Sequence, residues 1–111
     1  MKKELGKIKS IDLGYGGYDG GMFGLNTTLS GKGWVVSDFI GTWGMDIKVT
    51  EHTKWTEADR ELEFANVMIW VNTLLLDAKK AKLKQLVGIP IEAIFDDSRT
   101  LTSWRVLTEV I

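Results

Sequence analysis

Ten of the twelve glycines fall between Gly14 and Gly44, and the densest run reads Gly14-Tyr15-Gly16-Gly17-Tyr18-Asp19-Gly20-Gly21. Glycine costs conformational entropy and packs nothing, so it weakens a strand or helix unless the backbone must turn left-handed or lie close to another group. The run therefore marks a connection between elements, and the tyrosines within it admit two readings. In one, Tyr15 and Tyr18 stack on a planar ligand, the N–H groups of Gly16 and Gly17 meet its polar edge, and Asp19 accepts from a hydroxyl or amino group. In the other, the run is a hairpin connection whose tyrosines cover the edge of the core. Neither phosphate fingerprint fits: a dinucleotide motif starting at Gly14 needs glycine where Asp19 stands, and no Gly-Lys-Ser or Gly-Lys-Thr follows.

The pattern around the glycines is that of strands. Ile8, Ile11 and Leu13 suggest one, with a change of step near Ser10 that implies a bulge. Phe23, Leu25, Thr27 and Leu29 alternate with Met22, Gly24, Asn26 and Thr28, the period of a strand with one apolar face. Ser30-Gly31-Lys32-Gly33 reads as a hairpin turn. Trp34 to Ile40 reads as the next strand, interrupted by Gly41 and Gly44, and Met45, Ile47 and Val49 alternate as a fourth. Beyond the helical segment, Ile89 to Phe95 and Leu101 to Ile111 complete an expected set of about six strands.

Thr56-Glu57-Ala58-Asp59 places a hydroxyl at a helix N-cap with carboxylates in the first turn, and Trp55 precedes it in the staple position. Leu62, Ala65, Ile69 and Leu76 form one apolar stripe at helical spacing, and Phe64, Met68, Val71 and Leu75 form a second beside it. Val67 and Trp70 widen the apolar surface. A helix apolar around most of its girth is buried on more than one side. Either a curved sheet wraps it, or a second copy covers the side that the sheet leaves free; Phe64, Val67, Met68, Trp70, Val71 and Leu75 are the expected oligomer contacts. Leu83, Leu86 and Val87 suggest a second, short helix ended by Gly88 and Pro90. The order β-β-β-β-α-α-β-β gives a single α+β domain over residues 1–111, an antiparallel sheet packed on one long helix.

Composition excludes more than it identifies. A net charge of −1 recruits neither nucleic acid nor an anionic membrane. The absence of cysteine removes disulfides, thiolate catalysis and the usual zinc sites, and suits a reducing cytoplasm. No secretory leader is expected at Met1-Lys2-Lys3-Glu4, and the apolar stretch Val67 to Leu76 is too short to span a bilayer. His52 is the only histidine, and its neighbour Glu51 should point to the opposite face of an extended segment, so no triad or acid–base pair is expected. Asp12, Asp19, Asp38, Asp46 and Glu51 follow no known cation-loop spacing, so no metal site is expected. Lys79, Lys80, Lys82 and Lys84 suit a solvated helix end better than a phosphate-tracking stripe. Trp104-Arg105 is either a solvent-facing pair or an anion clamp beside a stacking platform.

Several stretches together resemble a family of small, functionally uncharacterised bacteriophage and prophage proteins. They are Gly14-Tyr15-Gly16-Gly17-Tyr18-Asp19, Gly31-Lys32-Gly33-Trp34, Asp38-Phe39 with Gly41-Thr42-Trp43, Glu51-His52 with Trp55-Thr56-Glu57-Ala58-Asp59-Arg60, Leu74 to Lys79, Leu86 to Pro90, and Ser103 to Leu107. The resemblance implies an accessory phage protein acting in the host cytoplasm, a class often directed against host defence. It supplies a setting and no chemistry. The expectation is a non-enzymatic, homo-oligomeric binding protein without a cofactor. It would sequester a small planar anionic, nucleotide-like ligand or inhibit a host protein, with Tyr15, Gly16, Gly17, Tyr18 and Asp19 at the ligand and Trp104 and Arg105 beside it. The alternative is a single-stranded nucleic-acid-binding protein of phage replication or recombination.

Overall fold

A computed structural model describes residues 1–17 and 20–111. Five strands and one long helix follow the order β1 (Lys2–Gly16), β2 (Met22–Gly31), β3 (Trp34–Trp43), α1 (Glu57–Ala78), β4 (Pro90–Phe95) and β5 (Leu101–Val106), with 3-10 turns at Leu83–Leu86 and Thr108–Val110. The strands form one antiparallel sheet in the spatial order β3-β2-β1-β4-β5. The chain is thus α+β, with five strands rather than six.

β1 is long because it pairs with two neighbours, with β4 over Lys2–Lys7 and with β2 over Gly6–Gly16. The register shifts between Ile8 and Ser10, which leaves Lys9 as the extra residue. This bulge is what puts Ile8 and Ile11 on one face, since an unbroken strand would send residues three apart to opposite faces. Ile8 then pairs with Leu29, and Leu13 with Leu25, above a core that also takes Val67, Leu74, Leu86, Ile91, Trp104 and Val106.

The sheet curls until its edges approach. Trp104 on β5 donates from Nε1 to Asp38 Oδ2 on β3 at 3.0 Å, and the Trp34 ring on β3 meets Phe95 on β4 edge-on, with centroids 5.2 Å apart. α1 fills the remaining gap, where Trp70 meets Trp104 edge-on at 5.4 Å. A curled five-stranded sheet in this order, with its helix between the third and fourth strands, has the connectivity of the partly open barrels called OB-folds. Here side chains and the helix take the place of a β3–β5 ladder.

Most of the glycines within the strands serve aromatic rings or close strand approach. A Cβ on Gly6 would lie 2.9 Å from the Trp34 ring, and Gly31 is covered by the same indole. A Cβ on Gly41 would lie 2.8 Å from Phe39, and the same ring reaches over Gly17. β3 therefore runs straight through Gly41 to Trp43 where an interruption was expected. At the β2–β3 hairpin the turn is Lys32-Gly33, with Gly33 at φ +81° supplying the left-handed residue.

One expected strand is absent and another is shorter than expected. Met45, Ile47 and Val49 lie in a turn and irregular chain, not a strand, because that segment's carbonyls are taken by a side chain of α1. The last strand ends at Val106, and Val110 is exposed in the following 3-10 turn. The expected second helix is a single 3-10 turn at Leu83–Leu86. The helix start is as read: the Thr56 hydroxyl accepts from the Asp59 N–H at 3.1 Å and the Asp59 carboxylate accepts from the Thr56 N–H at 2.8 Å.

Gly14 and Gly24 are cross-strand partners with opposite surroundings. A Cβ on Gly24 would collide with the Ile40 carbonyl, whereas one on Gly14 meets nothing within 4 Å. Gly24→Ala should therefore destabilise by about 1–3 kcal/mol through overpacking, while Gly14→Ala should leave the urea midpoint unchanged or raise it. Equal effects of the two changes would contradict this register.

Candidate functional site: an apolar cleft beside the glycine run

Where β1 and β2 approach the glycine run, their inner faces part from the helix and leave a cleft of about 410 Å³. Leu13 and Tyr15 come from β1, Phe23 from β2, Phe64, Val67 and Met68 from α1, and Met45 from the chain after β3. The volume falls in the lower part of the range for small ligand sites. Among the described residues the lining is apolar apart from the Tyr15 hydroxyl. Leu13, Tyr15, Met45 and Met68 are all substantially exposed, an unusual gathering of large apolar side chains at a surface.

The aromatic wall is ordered by edge contacts. Phe23 meets Tyr15 at 5.4 Å and 79°, and Phe64 at 6.1 Å and 90°, both in the edge-to-face range that favours aromatic pairs. Tyr15 also lies over Gly44, where a Cβ would sit 2.6 Å from its ring. Gly44 closes the end of the β2–β3 ladder by donating to the Gly21 carbonyl at 3.1 Å.

Arg60 fixes the wall that carries Met45. Its guanidinium is 2% exposed and donates from Nη1 to the carbonyls of Gly44 at 2.6 Å and Ile47 at 2.8 Å. Nη2 pairs with Glu57 one turn back. The guanidinium carbon stands 4.8 Å from the centre of the Trp55 ring. Trp55 and Arg60 occupy the staple positions on either side of the helix N-cap, so a cation–π contact replaces the usual apolar one. In the sequence the one signal for Arg60 is its spacing to Trp55, five residues earlier.

Of the residues expected at a ligand, Tyr15 lines the cleft and Gly16 ends β1 beside it. Gly17 follows with φ +65°, and its outward side is covered by Phe39 and Met22. Tyr18 and Asp19 lie outside the described residues. Trp104 and Arg105 do not join this group. The Trp104 indole is buried against Trp70 and held by Asp38. Arg105, on the opposite face of β5, donates to Glu92 Oε1 at 3.1 Å and to both oxygens of Glu109 at 3.0 and 2.9 Å. These two carboxylates already take its donors.

Of the expected oligomer contacts all but the exposed Met68 turn inward. Val67 is buried, Trp70, Val71 and Leu75 pack against the core, and Phe64 and Met68 line the cleft. His52 and Glu51 occupy a turn rather than an extended segment, and their side chains meet at 3.4 Å while remaining exposed, a contact worth little. Among the described residues no three His, Cys, Asp or Glu side chains gather as a metal site, and no helix is long and apolar enough to cross a membrane.

Arg60→Met keeps the apolar stem and removes every donor, so it should cost about 2–4 kcal/mol in urea unfolding. Arg60→Lys should recover only part of that, because an ammonium cannot reproduce the guanidinium fork. A near-neutral Arg60→Met would refute the clamp. The hydrogen bonds from Arg105 hold the Glu109 carboxyl down to about 2, from an ordinary value near 4.5. A depressed folded pKa gives stabilisation that is complete above the unfolded value and is lost as pH falls toward the folded one. The Glu109 contribution should therefore fade between about pH 4.5 and about pH 2. In an NMR titration, Arg105→Gln should return Glu109 to the ordinary carboxylate range.

No known protein family, curated protein or solved structure matches the chain.

Proposed function

We propose that this is a non-enzymatic accessory protein of a phage or prophage that inhibits a host protein by capturing one of its apolar segments in the Leu13–Tyr15–Met45–Met68 cleft. The cleft lining carries the reading. Flexible methionines beside edge-packed aromatics adapt to an apolar side chain of a partner, and the Tyr15 hydroxyl supplies a polar contact at the rim. The same lining argues against a nucleotide-like ligand in this cleft, because no lysine or arginine lines it to meet a phosphate. The phage setting and the host-defence target rest on the sequence resemblance alone.

A second reading has its own support. OB-type barrels bind single strands on the outer face of strands 2 and 3, and here Asn26, Phe39 and Trp43 share that outer face by register. Phe39 and Trp43 would serve as stacking platforms. Phe39 already lies over Gly41 and Gly17, and the chain's charge of −1 offers little attraction to a phosphate backbone.

The two readings separate in one set of experiments. A host protein captured by the wild-type chain is purified and titrated against wild type, Met45→Glu/Met68→Glu and Phe39→Ala/Trp43→Ala, with melting temperatures recorded. The cleft reading expects the Met double variant to lose at least about tenfold in affinity, since carboxylates at the site would be desolvated, and the Phe39/Trp43 variant to bind normally. Normal binding by the Met double variant would sink it. An oligo-dT titration that quenches tryptophan fluorescence, weakens steeply with salt and fails in the Phe39/Trp43 variant would establish the second reading instead.

A further inference from the structure

α1 carries a second apolar face, opposite the one that the sheet covers. Arg60, Val67 and Leu74, seven residues apart, are buried toward the strands. Leu62, Ile69 and Leu76, also seven apart, are 60%, 62% and 70% exposed. Ala58 precedes them and Ala65 and Asn72 fall between them, all exposed as well. The series 58-62-65-69-72-76 alternates steps of four and three, which is the spacing of a helix–helix seam. Alanines within it allow two backbones to approach, and a single asparagine is the kind of polar residue that fixes register in such seams.

Charge selects the occupant. The start of the helix carries Glu57, Asp59, Glu61 and Glu63, and its end carries Asp77 followed by Lys79, Lys80, Lys82 and Lys84, a net positive end. A second copy laid antiparallel puts each acidic end beside the other copy's lysines and opposes the two helix dipoles favourably. A parallel copy would place acid on acid and lysine on lysine. A two-fold axis makes the complementarity act twice, as an isologous interface requires. The helix of 22 residues offers about 33 Å of contact length.

We propose that the protein forms a homodimer through α1, antiparallel about a two-fold axis near Ile69, with Leu62 and Ala65 approaching the partner's Leu76 and the acidic first turns beside the partner's Lys79 and Lys80. The residues that form this interface are the stripe Leu62-Ala65-Ile69-Leu76 and not the inward-facing set at Phe64, Val67, Trp70, Val71 and Leu75. The inference does not depend on what the cleft binds.

Sedimentation equilibrium at tens of micromolar should give a dimer. Ile69→Glu should weaken association at least about tenfold by placing carboxylates at the axis, with an unchanged circular dichroism spectrum because the position is exposed. Lys79→Glu/Lys80→Glu should also weaken the dimer, and adding Glu61→Lys, which leaves the Arg60–Glu57 pair intact, should recover part of the association. The chain has no cysteine, so single thiols report geometry directly. Ile69→Cys should link two copies on mild oxidation and Leu62→Cys should not, whereas Leu62→Cys with Leu76→Cys should. A monomer at all concentrations, a dimer indifferent to Ile69→Glu, or cross-linking of Leu62→Cys as fast as Ile69→Cys would overturn the proposal.

Discussion

Buried beneath the chain that leaves β3, the Arg60 guanidinium holds the carbonyls of Gly44 and Ile47, pairs with Glu57 and stacks against Trp55. A buried charge of this kind needs partners; here two backbone carbonyls take Nη1 and the Glu57 carboxylate takes Nη2, while Nε has no hydrogen-bond partner among the described residues. The consequence reaches beyond the helix start. By fixing Gly44, Arg60 sets the surface on which Tyr15 rests, and by fixing the chain from Gly44 to Ile47 it places Met45 in the cleft. The end of the sheet, the beginning of the helix and the candidate site share this one anchor.

A second constraint is the matching of rings to glycines. Trp34 lies over Gly6 and Gly31, Phe39 over Gly41 and Gly17, and Tyr15 over Gly44. In each case the missing side chain is what allows an aromatic ring to lie against backbone. The glycine-rich half of the chain thus trades the packing that glycine lacks for the area that an aromatic ring buries. The rings also help to curl the sheet: Trp34 and Phe95 draw β3 toward β4 from the inside, as Trp104 and Asp38 draw β5 toward β3. The curl leaves a gap that one helix can fill.

Features that depend on neighbours in sequence were readable before the fold was known. The bulge beside Ser10 was visible in the step from Ile8 to Ile11, the helix N-cap in Thr56 with its first-turn carboxylates, and the hairpin turn in Ser30-Gly31-Lys32-Gly33. The alternation of Met45, Ile47 and Val49 misled because the same pattern suits a segment with one residue in a cleft and its carbonyls on an arginine. Trp104-Arg105 was ambiguous for a related reason: Asp38 and Glu92 are set beside the pair by packing and strand pairing, and Glu109, though only four residues on, reaches Arg105 because the strand ends at Val106.

By itself the sequence determined the local elements, the α+β class and a helix apolar on more than one side, because propensity, capping and periodicity act over a few residues. Only the tertiary structure decided which helical face meets the sheet. Of two stripes with the same seven-residue spacing, Leu62-Ile69-Leu76 is the more apolar and Arg60-Val67-Leu74 carries a charge, yet the second turns inward, with Trp70, Val71 and Leu75 packed beside it and led by Arg60. Its guanidinium can reach buried carbonyls only if its own face turns inward. That choice leaves Leu62, Ile69 and Leu76 outside and brings Phe64, Val67 and Met68 to the cleft, an outcome set by contacts between residues far apart in the chain.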